Sequence, residues 1–128
     1  MVSRRDLHPG AQAVQAAHAL ADFAVEHPAL FAEWHKHNYL VFLSAADEQA
    51  LVGIFDRALS LGVRVTAFRE PDMDDALTAV CLAPSQDTRR ITSGLPLLLK
   101  NAFVAPIGQS GCALTQRVAG SSPAGGTQ

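Results

Sequence analysis

The sequence predicts an α/β protein, a three-layer sandwich in which a mixed sheet of about four strands carries helices on both faces. Three observations lead there. Strand-length and helix-length segments follow the order β-α-α-β-α-β-β-α, and helical connections favour parallel neighbours. The short acidic turn REPDMDD joins two strands directly and favours an antiparallel pair. The run YLVFL at Tyr39 to Leu43 is nearly all apolar, the pattern of an interior strand covered on both faces.

Each element has its own signal. Met1 to Arg5 predicts a short first strand. Asp6 to Pro9 turns into a helix, with Asp6 and His8 available to cap it and Pro9 suited to its first turn. That helix runs to about Glu26, its apolar stripe formed by Val14, Ala17, Ala21, Ala24 and Val25. Gly10 and the alanines beside it keep one flank small enough to lie tight against a sheet or a ligand, which makes Gly10 a candidate at the substrate site. The pair His27-Pro28 interrupts the helix, and a short second one from Ala29 to about His35 presents Leu30, Phe31 and Trp34 to the core. After the YLVFL strand, Asp47 or Ser44 caps a third helix with Leu51, Ile54, Phe55 and Ala58 as its stripe, ended by Gly62. Val63 to Phe68 alternates Val63, Val65 and Ala67 against Arg64, Thr66 and Phe68, as a strand does. Leu77 to Ala83 is the last strand, closed by Pro84. A final helix starts at Gln86 and is broken by Gly94 and Pro96.

Composition sets the limits. The chain has 128 residues, 48% hydrophobic and 17% charged, the size of one domain with an ordinary soluble core. That domain is expected over residues 1–100, and the Gly/Ser/Ala-rich segment 101–128 is expected to be a flexible tail with no sustained periodicity. Within the tail, GSSPAGGT back-translates to a sequence resembling the T-arm of a tRNA gene, which the coding DNA would test. The net charge of −2 advertises no global basic field. Its distribution is uneven, since Arg89, Arg90, Lys100 and Arg117 follow Thr88 with no acid among them. Cys81 lies in an apolar run and reads as a buried free thiol, whereas Cys112 lies in the tail. Neither has a metal-ligand neighbour at useful spacing, so no disulfide framework, metal site or cofactor is expected. No apolar stretch is long enough to span a bilayer and no signal-peptide core follows the first arginines, so the expected location is the cytoplasm. A serine nucleophile elbow and a phosphate-binding glycine loop are both missing.

The most informative stretch is RRDLHPGAQAVQAAHA, residues 4–19. Gln15, His18 and Asp22 fall on one helical stripe, an unusual set for a purely structural helix. The stretch resembles the opening of the type 2 peptidyl-tRNA hydrolases, roughly R-x-D-L, a short loop, then G-K-x-A-A-Q-x-x-H-A. Arg4 or Arg5, Asp6, Leu7, Gly10, Ala13, Gln15, His18 and Ala19 match in order. Position 11 departs, being Ala where the family has a functionally central Lys.

The resemblance implies an α/β fold and hydrolysis of the ester between a peptide and the 3′ end of tRNA, with tRNA as substrate partner. Such a site needs a water activator, oxyanion donors and contacts for the tRNA end. His18 is the expected activator, imidazole being the side chain that exchanges protons in the physiological range. Its alternative is a helix-packing histidine. Asp22 one turn on is placed to orient it. Gln15 either donates to a carbonyl or ribose or tethers a loop, and Asp6 either caps the helix or borders the site.

In the family a D-A-G-R-T turn carries a catalytic Asp. Here Glu70-Pro71-Asp72 takes its place, with Glu70 the better match, Asp72 the alternative, and a solvated acidic hairpin the plain structural reading. Thr78 stands where a family threonine would. Thr92, Ser93 and Gly94 take the place of a V-T-G segment bordering the site, and Arg89 and Arg90 are candidates to meet phosphates. Loss of the Lys raises the alternative of a catalytically impaired relative that binds tRNA or a protein. A homodimer is compatible with the sequence, which shows no apolar face that demands one.

Overall fold

The computed structural model describes residues 1–100, and every element lies in one unit, Met1–Leu98. The expected tail falls outside the described residues. In order, the elements are β1 (Val2–Arg4), α1 (Pro9–Glu26), α2 (Pro28–His35), β2 (Leu43–Ala45), α3 (Glu48–Ser60), β3 (Val65–Glu70), a 3₁₀ turn (Pro71–Met73), β4 (Ala76–Leu82) and α4 (Gln86–Thr92). The strands form one mixed sheet in the order β2-β1-β4-β3. β1 runs parallel to β2 and antiparallel to β4, and β3 is antiparallel to β4. β1, β2 and β3 therefore point the same way, and only β4 is reversed. No helix among the described residues is long and apolar enough to cross a membrane.

Helices cover both faces, and two apolar clusters record it. On one face Val2, Leu77 and Val80 pack with Leu51, Ile54 and Ala58 of α3 and Ile91 of α4. On the other, Ala79, Cys81 and Ala83 pack with Ala19 and Phe23 of α1. Asp47 caps α3 by accepting from the Ala50 N–H at 2.9 Å, and Gly62 ends the turn after it at φ 76°, a conformation that favours glycine.

Three expectations are corrected. α1 turns Gln12, Gln15, Ala16, Ala19 and Phe23 to the sheet, while Val14 and Val25 of the anticipated stripe are exposed. The methyls of an alanine-rich helix mark every face as apolar, and the buried glutamines are tolerated because they are hydrogen-bonded. The second correction concerns β2, an edge strand that starts only at Leu43; Tyr39, Leu40 and Val41 are exposed. α2 buries none of its residues, and Leu30 is exposed.

β4 contains an irregularity that shapes everything near it. Phe68 is paired with Ala79 and the next residue, Arg69, with Leu77, so Thr78 is an extra residue in the ladder. Such a bulge shifts the alternation of side chains by one. Leu77 and Val80 accordingly share one face, while Thr78 and Ala79 both turn toward α1. Leu77 stays opposite Arg69, but the β1–β4 ladder stops at Ser3 and Ala79, and the Leu77 backbone is satisfied from outside it. Glu48 Oε2 accepts from the Leu77 N–H at 2.8 Å, and Arg4 donates to the Leu77 carbonyl at 3.3 Å.

Candidate functional site

The carboxyl ends of β1, β2 and β3 lie at one end of the sheet, where α1 also begins. Crevices at such ends are where open α/β sheets hold their ligands. Here α1 lies across β3 and β4, and the bulge aims Thr78 at it. The Thr78 hydroxyl donates to Gln15 Oε1 at 2.8 Å, and Gln15 Nε2 donates to Glu70 Oε1 at 2.9 Å. Thr78 and Gln15 are buried and Glu70 is half-buried. The carboxylate needs a donor and the hydroxyl needs an acceptor, so the amide has one orientation that serves both. A polar relay thus runs from the sheet interior to a carboxylate at the surface. The second oxygen of Glu70 is met by the Asp72 N–H at 3.4 Å, a weak contact.

His18 stands one turn beyond Gln15. Its ring stacks on Phe68 of β3, with centroids 4.5 Å apart and planes 8° from parallel. Thr66, Phe68 and Glu70 alternate onto the face of β3 that α1 covers, and they meet Glu26, His18 and Gln15 respectively. The imidazole is exposed and shares a stripe with the relay, but no hydrogen bond joins it to Glu70 or Asp22. Ala11, four residues before Gln15, lies on the same side of α1 as Gln15 and His18.

The other expected residues fall as follows. Asp6 does not cap α1; it accepts from Arg4 Nε at 3.0 Å and from its terminal nitrogen at 2.9 Å. That guanidinium holds the Asp6 carboxyl below the usual carboxylate range. The cap is His8, whose Nδ1 accepts from the Gly10 N–H at 3.3 Å. Gly10 is not sterically required, since an added Cβ would meet only His8 Nδ1 at 3.8 Å. Asp72 lies in the exposed 3₁₀ turn with its backbone, not its carboxylate, against Glu70.

Arg89 and Arg90 are exposed on α4, which packs Ile91 on the face opposite α1, and Arg90 pairs with Asp87 at 3.3 Å. Thr92 bonds the Thr88 carbonyl at 2.8 Å and Ser93 follows the helix end. From there the chain runs to Pro96 and Leu97 beside β2, the strand at the opposite edge from β3. The fold therefore joins Gln15, Thr78 and Glu70, sets His18 beside them, and leaves Arg89, Arg90, Thr92 and Ser93 apart. Phe68 and Glu48 escaped sequence reasoning. Phe68 reads there as one member of a strand alternation, and Glu48 as a first-turn helix acid.

No protein-family model matches the chain, and no curated protein matches it. The site consists of a half-buried carboxylate with one oxygen held by Gln15 and the other in weak contact with the Asp72 N–H, an amide locked at both ends, and an imidazole stacked on Phe68. Among the described residues no group of His, Cys, Asp and Glu is placed to hold a metal ion.

Proposed function

We propose that the chain is a divergent peptidyl-tRNA hydrolase that cleaves the ester joining a peptide to the 3′ end of tRNA. The observation that carries the reading is the buried Gln15 amide linking Thr78 to Glu70. The resemblance had singled out these residues from three separated segments, and a purely structural helix has no evident use for such a relay. Glu70, its first oxygen held by Gln15, takes a proton from water on its second. The water oxygen bonds to the ester carbonyl carbon, the bond from that carbon to the ribose oxygen breaks, and the ribose oxygen leaves with a proton given by protonated His18 or returned from Glu70.

Release of peptide from peptidyl-tRNA by the purified full chain tests this. Glu70→Gln is expected to lower turnover by about 10² or more, the usual contribution of a positioned base, and His18→Ala to lower it by a smaller factor, since Glu70 can return the proton. Turnover unaffected by Glu70→Gln would refute the assignment. A second reading, a relative that binds without turnover, is favoured by Ala11: among the described residues no Lys or Arg forms an ion pair with Glu70. Activity gained only in Ala11→Lys would select that reading.

A further inference from the structure

The sheet has one edge with no partner. Arg64 accepts from the Ala83 N–H at 2.9 Å and Glu70 from the Asp75 N–H at 3.0 Å, so the even-numbered residues of β3 turn their backbone groups inward to β4. The N–H and C=O of Val65, Ala67 and Arg69 point outward by the same alternation. Among the described residues they meet no other strand. A free edge of this kind is a template for pairing with another chain.

We propose that β3 pairs antiparallel with β3 of a second copy of this chain, about a two-fold axis at Ala67, so that the partner's Arg64 reaches Glu70. Charge and polarity select that register. With Ala67 opposite the partner's Ala67, every outward residue meets an outward residue, and Val65 and Arg69 exchange hydrogen bonds. The inward-bonded residues then oppose one another in the closer, non-hydrogen-bonded pairs, Thr66 with the partner's Phe68 and Arg64 with the partner's Glu70. Arg64 and Glu70 lie on the same face of β3. Glu70 is held there by Gln15 of α1, and Arg64 lines the surface hollow of about 330 Å³ beside His27, Pro28 and Leu30. Symmetry makes the opposite-charge pair twice. Shifting the register by two residues places Glu70 opposite Thr66 or beyond β3 and loses both pairs.

The helix layer permits the approach. α1 overlies β3 and β4, so its axis lies about one strand spacing from the two-fold axis, and the two copies of α1 would stand about 10 Å apart, a normal helix-packing distance. The pairing stands on strand geometry and the Arg64–Glu70 charge match. Its consequence for chemistry rests on the hydrolase reading: the partner subunit's Arg64 would supply the cation beside Glu70 that Ala11 does not.

Sedimentation velocity over a concentration series of the full chain is the test, with far-UV circular dichroism to confirm folding. The parent is expected to dimerise. Arg64→Glu and Glu70→Arg each place like charges opposite one another at two sites, and each is expected to raise the dissociation constant about tenfold or more. The double variant Arg64→Glu/Glu70→Arg restores both pairs and should recover most of that loss. Ala67→Pro removes an outward N–H and leaves the β3–β4 ladder intact, so it should give a folded monomer. A monomeric parent, a dimer indifferent to Ala67→Pro, or a double variant no tighter than the singles would overturn the proposal. Peptide release is a separate readout, so a dimer without turnover refutes the hydrolase reading and leaves the pairing standing.

Discussion

Thr78→Val isolates the relay at its buried end. The hydroxyl has one proton, and the 2.8 Å contact to Gln15 Oε1 takes it in preference to the 3.3 Å contact to the Phe68 carbonyl. Valine has nearly the same shape but no donor, so Gln15 Oε1 is left buried without a partner. An orphaned buried acceptor costs about 1–3 kcal/mol. The methyl that replaces the hydroxyl returns up to about 0.8 kcal/mol, for a net loss between about 0.2 and 2.2 kcal/mol when that return is complete. In a domain of this size each kcal/mol lowers Tm by about 4–8 °C. The assay is urea unfolding followed by circular dichroism, with an unchanged slope against denaturant as the sign that only stability moved. Gln15→Leu supplies the control. It removes the amide, lets the Thr78 hydroxyl turn to Phe68, and leaves Glu70 near enough to the surface to be hydrated. In that background Thr78→Val should cost about 1 kcal/mol less than in the parent, because removing both partners spares the orphan. Additivity of the two substitutions within about 0.5 kcal/mol would show that the relay is not an energetic unit.

Other predictions follow from single groups. Asp6→Asn should cost at most about 1 kcal/mol near neutrality, since the pair with Arg4 is partly solvated. The native Asp6 carboxyl is held below its usual value by Arg4. Its contribution is therefore present above about pH 3.9 and disappears as the pH falls through the lowered value; a difference between the two proteins that does not shrink as the pH is lowered below about 3.9 would contradict the assignment. Burial pushes the Cys81 thiol up, so in a Cys112→Ser background iodoacetamide should label Cys81 slowly in the folded protein and readily in urea. By the same sign, the stability contributed by the protonated thiol is complete below about pH 8.5 and declines as the pH rises through the raised native value. Gly62→Ala should cost about 1–2 kcal/mol, from φ alone, because an added Cβ meets nothing within 4 Å. Gly10→Ala, in helical backbone where the added Cβ makes only an ordinary contact with His8 Nδ1 at 3.8 Å, should be neutral or stabilising by up to about 1 kcal/mol.

The order of elements was legible because it is written in local signals. Asp47 and Gly62 bound α3, Pro28 separates α1 from α2, and the alternation at Val63 to Phe68 sets Val63, Val65 and Ala67 apart from Thr66 and Phe68, the structure placing the first three on the α3 face. YLVFL misled for a physical reason: apolar content alone does not tell a buried strand from the approach to an edge strand, and β2 forms only where Leu43 meets Val2.

The site was legible in part, and the missing part is the bulge. In LTAVCLA almost every residue is apolar, so nothing marks where the alternation breaks. Regular alternation would put Thr78 with Val80, against α3, and leave the Gln15 carbonyl oxygen unpartnered in the interior. With the bulge, Thr78 reaches Gln15, and Gln15 reaches Glu70. Next to the bulge the β1–β4 ladder has already stopped, and Glu48 and Arg4 take up the Leu77 N–H and carbonyl from two other elements. Residues as distant in sequence as Arg4, Glu48 and Leu77 thus hold one irregularity in place, and that irregularity gives a buried glutamine on α1 something to bind. The relay is a property of the tertiary fold, which is why the helix that carries Gln15 and His18 was readable as unusual while the reason for it was not.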